Sequence, residues 1–186
     1  MKKIKIKNNI FIPMPVCLIG TMVEGKVNFM AQGWVTRVNS NPSLIAISIN
    51  KSHYTAKGIM ENSCFSLSFP GKELMVETDY CGIVTGVKKD KSKVFKVFYG
   101  ELEKAPMAED CPMCMECNLY KLVDLPDHHL IIGEIKNVYC DENCQENGFV
   151  DFKKMEAFTL TAPDNNYREL GEVIGKAWSS GREYKE

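Results

Sequence analysis

Period-two alternation of apolar and polar residues is the recurring signal along this chain. Ile45, Ile47 and Ile49 alternate with Ala46, Ser48 and Asn50, and Phe65, Leu67 and Phe69 alternate with Ser66 and Ser68. That is the pattern of a strand with one face buried. Val16–Val23 and a strand beginning at Val27 flank Glu24-Gly25-Lys26, which predicts a β-hairpin. The stretch Asn28–Thr55 reads as a strand, a turn containing Pro42, a second strand, and a polar loop, Asn50–Thr55, that opens a helix. Ile10–Pro15 is expected to be extended, because proline lacks an N–H and restrains the residue before it. Ile4 and Ile6 between lysines predict an edge strand. Leu119–Leu125 and Leu130–Tyr139 predict two long antiparallel strands joined across Pro126-Asp127-His128.

Helical signals are fewer. Thr55–Asn62 predicts a short helix, and Lys72–Cys81, which does not alternate, predicts a second one entering a Gly82–Gly86 turn. Asp164 is placed to cap a last helix whose apolar residues Tyr167, Leu170, Ile174, Ala177 and Trp178 recur at helical spacing. Lys88–Lys93 reads as a solvated charged loop, and Val94–Tyr99 fits either element. Many short strands with few helices predict a mainly β architecture, an antiparallel barrel with peripheral helices packed outside.

Composition narrows the class. A length of 186 residues predicts a single domain over 1–186, and 45% apolar with 25% charged residues is ordinary for a globular fold, which excludes disordered and fibrous chains. The formal net charge of -1, with no basic stripe, argues against a nucleic-acid partner. No apolar run approaches the roughly 18 residues that cross a bilayer, and no signal-type segment follows the basic start. The expected location is therefore cytoplasmic, without a membrane partner, and the eight cysteines are expected as reduced thiols.

The candidate chemistry begins in the polar loop. Asn50, Lys51, Ser52, His53 and Thr55 bring hydroxyls, cations and a helix start together, which suits a phosphate. In this block, with Cys81-Gly82-Ile83-Val84-Thr85-Gly86, Asp90-Lys91, His129-Leu130-Ile131-Ile132-Gly133-Glu134 and Tyr167-x-x-Leu170-Gly171-x-x-Ile174-Gly175-x-Ala177, the chain resembles the flavin reductase-like family, nearest its flavoredoxin branch, from about Phe11 to Gly181.

The resemblance implies an FMN-binding split β-barrel that works as a homodimer, with the flavin near the subunit interface. It implies that Asn28, Met30, Ala31, Gln32, Gly33 and Trp34 lie along the isoalloxazine ring. Asn50, Lys51, Ser52, His53 and Thr55 would hold the phosphate, with Thr85 and Gly86 near it. His129 matches a family histidine that could orient flavin or nicotinamide, or simply bond locally. The implied activity is an FMN flavoprotein oxidoreductase: a NAD(P)H-dependent flavin reductase, or an electron carrier serving a redox protein partner. No catalytic side chain is expected, since the flavin carries the chemistry. The absence of G-x-G-x-x-G does not exclude NAD(P)H, because the family is not a Rossmann fold.

A rival reading rests on Cys111, Cys114 and Cys117, which have the C-x2-C-x2-C start of a ferredoxin run, with Cys140 and Cys144 able to complete a Zn or Fe–S thiolate module. Against it, position 121, where the fourth ferredoxin cysteine belongs, is Lys121.

Overall fold

The computed structural model describes residues 1–184. In chain order the strands before the first helix are β1 (Phe11–Pro15), β2 (Cys17–Val23), β3 (Lys26–Gln32), β4 (Val35–Asn39) and β5 (Leu44–Asn50). Helix α1 (Tyr54–Asn62), strand β6 (Cys64–Phe69) and helix α2 (Met75–Ile83) follow. The short strands β7 (Val97–Phe98) and β8 (Met107–Ala108) precede the long pair β9 (Met113–Asp124) and β10 (His128–Cys140). The chain ends through β11 (Gln145–Glu146), β12 (Phe149–Val150), β13 (Phe158–Ala162) and β14 (Asn166–Glu169). Seven strands form one antiparallel sheet in the order β3-β2-β6-β9-β10-β5-β4, as the alternation predicts, and β1 joins β13 and β14 in a smaller sheet.

The large sheet curls around a core. Ile19, Ile47, Phe65, Leu67, Cys117 and Ile131 are fully buried there, one set of alternate residues from each strand. Each such side chain contributes about 1.5–3 kcal/mol by leaving water. A second cluster, Leu18, Phe29, Phe95, Met107 and Cys114, covers the outer face of the same strands. Strand β2 is therefore buried on both faces, which explains the unbroken apolar run Val16–Ile19. The outer face of β9 also buries a carboxylate, Glu116. Its oxygens accept bonds from Glu101 N at 3.1 Å, Leu102 N at 2.8 Å, Asn137 Nδ2 at 2.6 Å and Tyr139 Oη at 2.9 Å, tying the loop before β8 to the barrel.

The segment expected as one strand after Asn28 is two. Gln32 Oε1 accepts from the amides of Gly33 and Trp34 at 3.0 and 3.1 Å, while Gln32 Nε2 donates to Ser48 O on β5 at 2.6 Å. The side chain replaces ladder partners at the break, so β3 and β4, neighbours in sequence, lie at opposite ends of the sheet. Gln32 fastens those ends together.

Three other expectations are corrected. Residues 2–7 form no strand and are exposed, pairing with none of the described strands. Lys88–Lys93 is not uniformly solvated, because Lys91 is buried at 3% exposure. The final helix is absent. Tyr167 pairs with Leu160 in the β13–β14 hairpin, and the carboxylate of Asp164 accepts from Thr161 Oγ1, Asn166 Nδ2 and Arg168 Nη2 across that hairpin instead of capping a helix. Leu170, Ile174 and Trp178 are exposed, and helical spacing with no surface to bury a face against does not sustain a helix in water. Val94–Tyr99 resolves as an extended piece, β7, paired with β8.

Candidate functional site

The start of α1, strand β3 and the segment after α2 enclose a cavity of about 340 Å³, lined in part by Met30, Ala31, Ser52, His53, Thr55, Thr85 and Gly86. Helix α1 is aimed here because it lies close on β2. A Cβ at Gly58 would come within 2.5 Å of Met22 O, so only glycine allows the approach. His53 is the N-cap residue, and no side chain bonds the first amides. Those N–H groups have no partner within the helix and carry its positive dipole end. Beneath them, Asn28 Nδ2 donates to Thr55 Oγ1 at 2.9 Å in a buried bond that fixes β3 against α1. Gly86 is a close-approach glycine. A Cβ there would collide with Asn28 Oδ1 and stand 2.8 Å from the Tyr54 ring.

Lys91 closes the opposite wall. Its ammonium donates to Cys81 O and Val84 O, both at 3.2 Å, and so caps the carbonyl end of α2. Burial pulls its pKa below the ordinary lysine value. Among the described residues it makes no ion pair. An ammonium carries three N–H donors, so one remains beyond the two carbonyls. Burial, with the nearby charges of His128 and Lys91, also holds the His53 pKa down. This end of the cavity is therefore electropositive and has donors to spare, which is the donor set a phosphate requires.

The remaining expected residues, Gln32, Gly33, Trp34, Asn50, Lys51 and His129, are not among those that line this cavity. Gln32 and Gly33 lie at the fastening of the barrel, and Trp34 stacks on His128 with ring centroids 5.0 Å apart, leaving the indole 38% exposed. Asn50 Oδ1 accepts from Ser52 N at 3.0 Å and Ser52 Oγ at 2.7 Å, so it shapes the loop and sets the Ser52 hydroxyl. Lys51 does not line the cavity, since its ammonium pairs with Asp124 at 2.7 Å. His129 lies beside that pair, with Nδ1 3.1 Å from Asp124 Oδ1, within ion-pair distance but off hydrogen-bond alignment. Lining residues beyond those expected are Tyr54, Cys81, Gly82, Ile83, Val84 and Lys91. The signal for Lys91 was the Asp90-Lys91 pair, whose surrounding charges otherwise read as a solvent face.

The cysteine run does not assemble. On a strand, residues three apart face opposite ways. Cys117 accordingly packs with Cys17 inside the barrel, whereas Cys111 and Cys114 pack outside it. Burial pushes the Cys114 thiol up to about 12 and raises Cys111 and Cys117 as well, opposite to what thiolate ligands need. Among the described residues, no group of three or more His, Cys, Asp or Glu is arranged to hold a metal ion. The metal-thiolate reading therefore fails on geometry.

The flavin reductase like domain matches residues 10–170. The chain belongs to the flavin reductase like family. Its structure resembles that of a flavoredoxin from Methanosarcina acetivorans, with 48% identity, 98% of each chain covered and a TM-score of 0.96. It also resembles the flavoredoxin of Desulfovibrio vulgaris (Miyazaki F), with 32% identity, 97% of this chain and 100% of that one covered, and a TM-score of 0.90. An FMN-binding protein from Thermus thermophilus shares the fold at 21% identity, with 95% and 99% covered and a TM-score of 0.79. The fold of this family member is the FMN-binding split barrel, as the resemblance implied. Among the described residues, no helix is long and apolar enough to cross a membrane.

Proposed function

We propose that this family member binds FMN in the cavity and acts as an oxidoreductase of flavoredoxin type. The observation that carries the reading is Lys91, a buried cation with no ion-pair partner among the described residues, lining with the uncapped start of α1 a space that also holds hydroxyls. Likeness to two flavoredoxins supports the same reading. Bound FMN would supply the redox chemistry, accepting a hydride and releasing electrons singly or in pairs.

The protein's own part is binding and orientation. The α1 amides, Ser52, Thr55 and Lys91 hold the phosphate, while Asn28 keeps Thr55 in place. Thr85 and Gly86 bring backbone close to it. Lys51 acts indirectly, by anchoring the loop through Asp124. Met30, Ala31, Gln32, Gly33 and Trp34 border the isoalloxazine, and the partly exposed Trp34–His128 stack marks the edge where a donor or acceptor approaches. NAD(P)H is the proposed donor and a redox protein the proposed acceptor. A second copy of the chain is the proposed cover for Leu170, Val173, Ile174 and Trp178, apolar residues exposed after β14.

The test is an anaerobic titration of FMN-loaded protein with NADH, and separately NADPH, followed in the visible spectrum. Bleaching at stoichiometric nicotinamide identifies a NAD(P)H-dependent enzyme. Bound flavin that resists both identifies a carrier fed by a protein. Failure to bind FMN overturns the proposal.

A further inference from the structure

Tyr167 opens the last of the motifs that carry the family resemblance, yet it does not line the flavin cavity. It reaches the cavity's wall through another element. Its hydroxyl donates to Asp79 Oδ1 on α2 at 2.7 Å, across 88 residues of sequence. Asp79 is half-buried, and among the described residues it is in no ion pair and has this hydroxyl as its side chain's only partner. The Tyr167 ring is held in turn by Phe158, edge to face with centroids 5.3 Å apart. Burial, and after it the bond to Asp79, raises the Tyr167 pKa above the usual tyrosine value, so the hydroxyl stays a donor. Short bonds from a hydroxyl to a carboxylate are among the stronger kinds.

The same face of the small sheet also meets the segment expected along the flavin ring. Tyr167 is the cross-strand partner of Leu160, and such partners project to one side of a sheet. A Cβ at Gly33 would stand 3.7 Å from Leu160 Cδ2 on β13 and 3.9 Å from Met14 Cε on β1. The sheet β1-β13-β14 therefore bridges from Gly33 to α2. Lys72 adds ion pairs from before α2 to Glu156 and Glu169, at 3.0 and 3.1 Å, but exposed pairs contribute little. Water competes less with the half-buried Tyr167–Asp79 bond.

Asp79 precedes Cys81 by two residues, less than a turn of helix. Cys81, Gly82, Ile83 and Val84 line the flavin cavity, and the Cys81 and Val84 carbonyls hold the Lys91 ammonium. Gly82 lies so close on β3 that an added Cβ would stand 3.3 Å from Ala31 Cβ. Whatever fixes Asp79 thus also fixes the carbonyls that aim Lys91.

We propose that Tyr167 is a positioning residue for the flavin cavity: through Asp79 it clamps the last turn of α2, and with it Lys91, in the place that receives the phosphate. The proposal rests on the flavin reading above.

The experiment uses the full chain with Tyr167→Phe, which keeps the ring on Phe158, with Asp79→Ala, with both combined, and with Asp79→Asn, which keeps a carbonyl acceptor. Flavin-fluorescence quenching gives affinities for FMN and riboflavin, and urea unfolding is run beside it. Loss of the clamp, one hydrogen bond's net worth, is expected to weaken FMN about three- to tenfold in Tyr167→Phe and in Asp79→Ala. The combined variant should fall no further than either alone, because the two partners of one bond do not add. Asp79→Asn should stay within about twofold of the wild type. Riboflavin has no phosphate for Lys91 and should shift by less than about twofold throughout. A merely structural bond would lower the urea midpoint of Tyr167→Phe yet leave FMN affinity within about twofold, and that result overturns the proposal. Losses that multiply in the combined variant, or riboflavin weakened as much as FMN, overturn it as well. If the wild type binds neither flavin, the flavin reading falls and amide hydrogen exchange over residues 79–84 decides the clamp by itself. Faster exchange in Tyr167→Phe supports it, and unchanged exchange overturns it.

Discussion

Replacing Lys91 by methionine separates the phosphate's share of flavin binding from the ring's. The substitution keeps the stem and removes a charge that is 3% exposed. In the flavin complex it deletes one charge-assisted bond to phosphate, worth about 1.5–3 kcal/mol, or roughly a 10- to 100-fold loss of FMN affinity. Riboflavin lacks the phosphate and should bind the variant and wild type alike. Without flavin two effects oppose each other: Cys81 O and Val84 O lose a donor, but the protein no longer buries an ammonium. Net stability should change by only about 1 kcal/mol.

The assay is quenching of flavin fluorescence on titration with apoprotein, riboflavin run beside FMN. A pH series adds a sign. Burial sets the folded pKa of Lys91 below 10.5, so between the two values the unfolded chain binds more protons. Apoprotein stability gains from this group as pH rises there, while FMN affinity falls as the ammonium is lost. FMN affinity within twofold of wild type, or equal weakening of riboflavin, would refute the role given to Lys91.

Other expected outcomes concern the supports of the site and the thiols. Gly86→Ala drives a methyl into Asn28 and the Tyr54 ring and should cost about 1–3 kcal/mol by thermal or urea unfolding, with weaker FMN binding; an unchanged midpoint counts against the close contact. Glu116→Gln removes the charge that all four donors meet and turns one acceptor oxygen into an NH2, leaving at least the Leu102 amide without its acceptor, and should cost about 2–3 kcal/mol in urea unfolding. Burial raises the Glu116 pKa, but the bonds from Asn137, Leu102, Glu101 and Tyr139 outweigh it and hold the group below 4.5. Its stabilisation is therefore complete above the unfolded pKa and lost as pH falls through the folded one, so the variant should lack that acid-side decline. Replacing Cys111, Cys114 and Cys117 together by alanine should lower stability yet leave flavin binding intact, and iron or zinc in the purified wild type by elemental analysis would contradict the geometry.

The strands of the sheet were legible from alternation, although the structure buries both faces of β6 and most of β5 where one buried face was expected. Ile45 to Ile49 and Phe65 to Phe69 alternate with small or polar residues and both appear as strands, but Ser66 and Ser68 are buried too, their hydroxyls bonded to Pro106 O and Ala108 N. Gly25 placed the hairpin, and the polar loop Asn50–Thr55 placed the start of α1 within a residue. The break at Gln32 was hidden, because a side chain substituting for backbone partners leaves no trace in hydrophobic period. The final helix was misread since spacing describes a face and says nothing about whether a surface exists to receive it. In the site, the loop from Asn50 to Thr55 was visible as chemistry, although the cation that reaches the cavity is Lys91, not Lys51. Burial of a lone lysine depends on α2 ending above it, a tertiary fact that a run of charges conceals.

The Gln32 fastening bears on the order in which the barrel is built. Gln32 and Ser48 are 16 residues apart, so bringing β3 and β5 together closes a short loop at modest entropic cost. The ladder of β6 with β9, which pairs Phe65 with Cys117, joins segments far more distant in the chain. Contact order therefore places the side of the barrel proposed to hold the flavin ring among the early events and the opposite wall among the late ones. A chain leaving the ribosome would present Asn28 through Thr55, with most of the residues proposed to contact the cofactor, before the strands that complete the core exist.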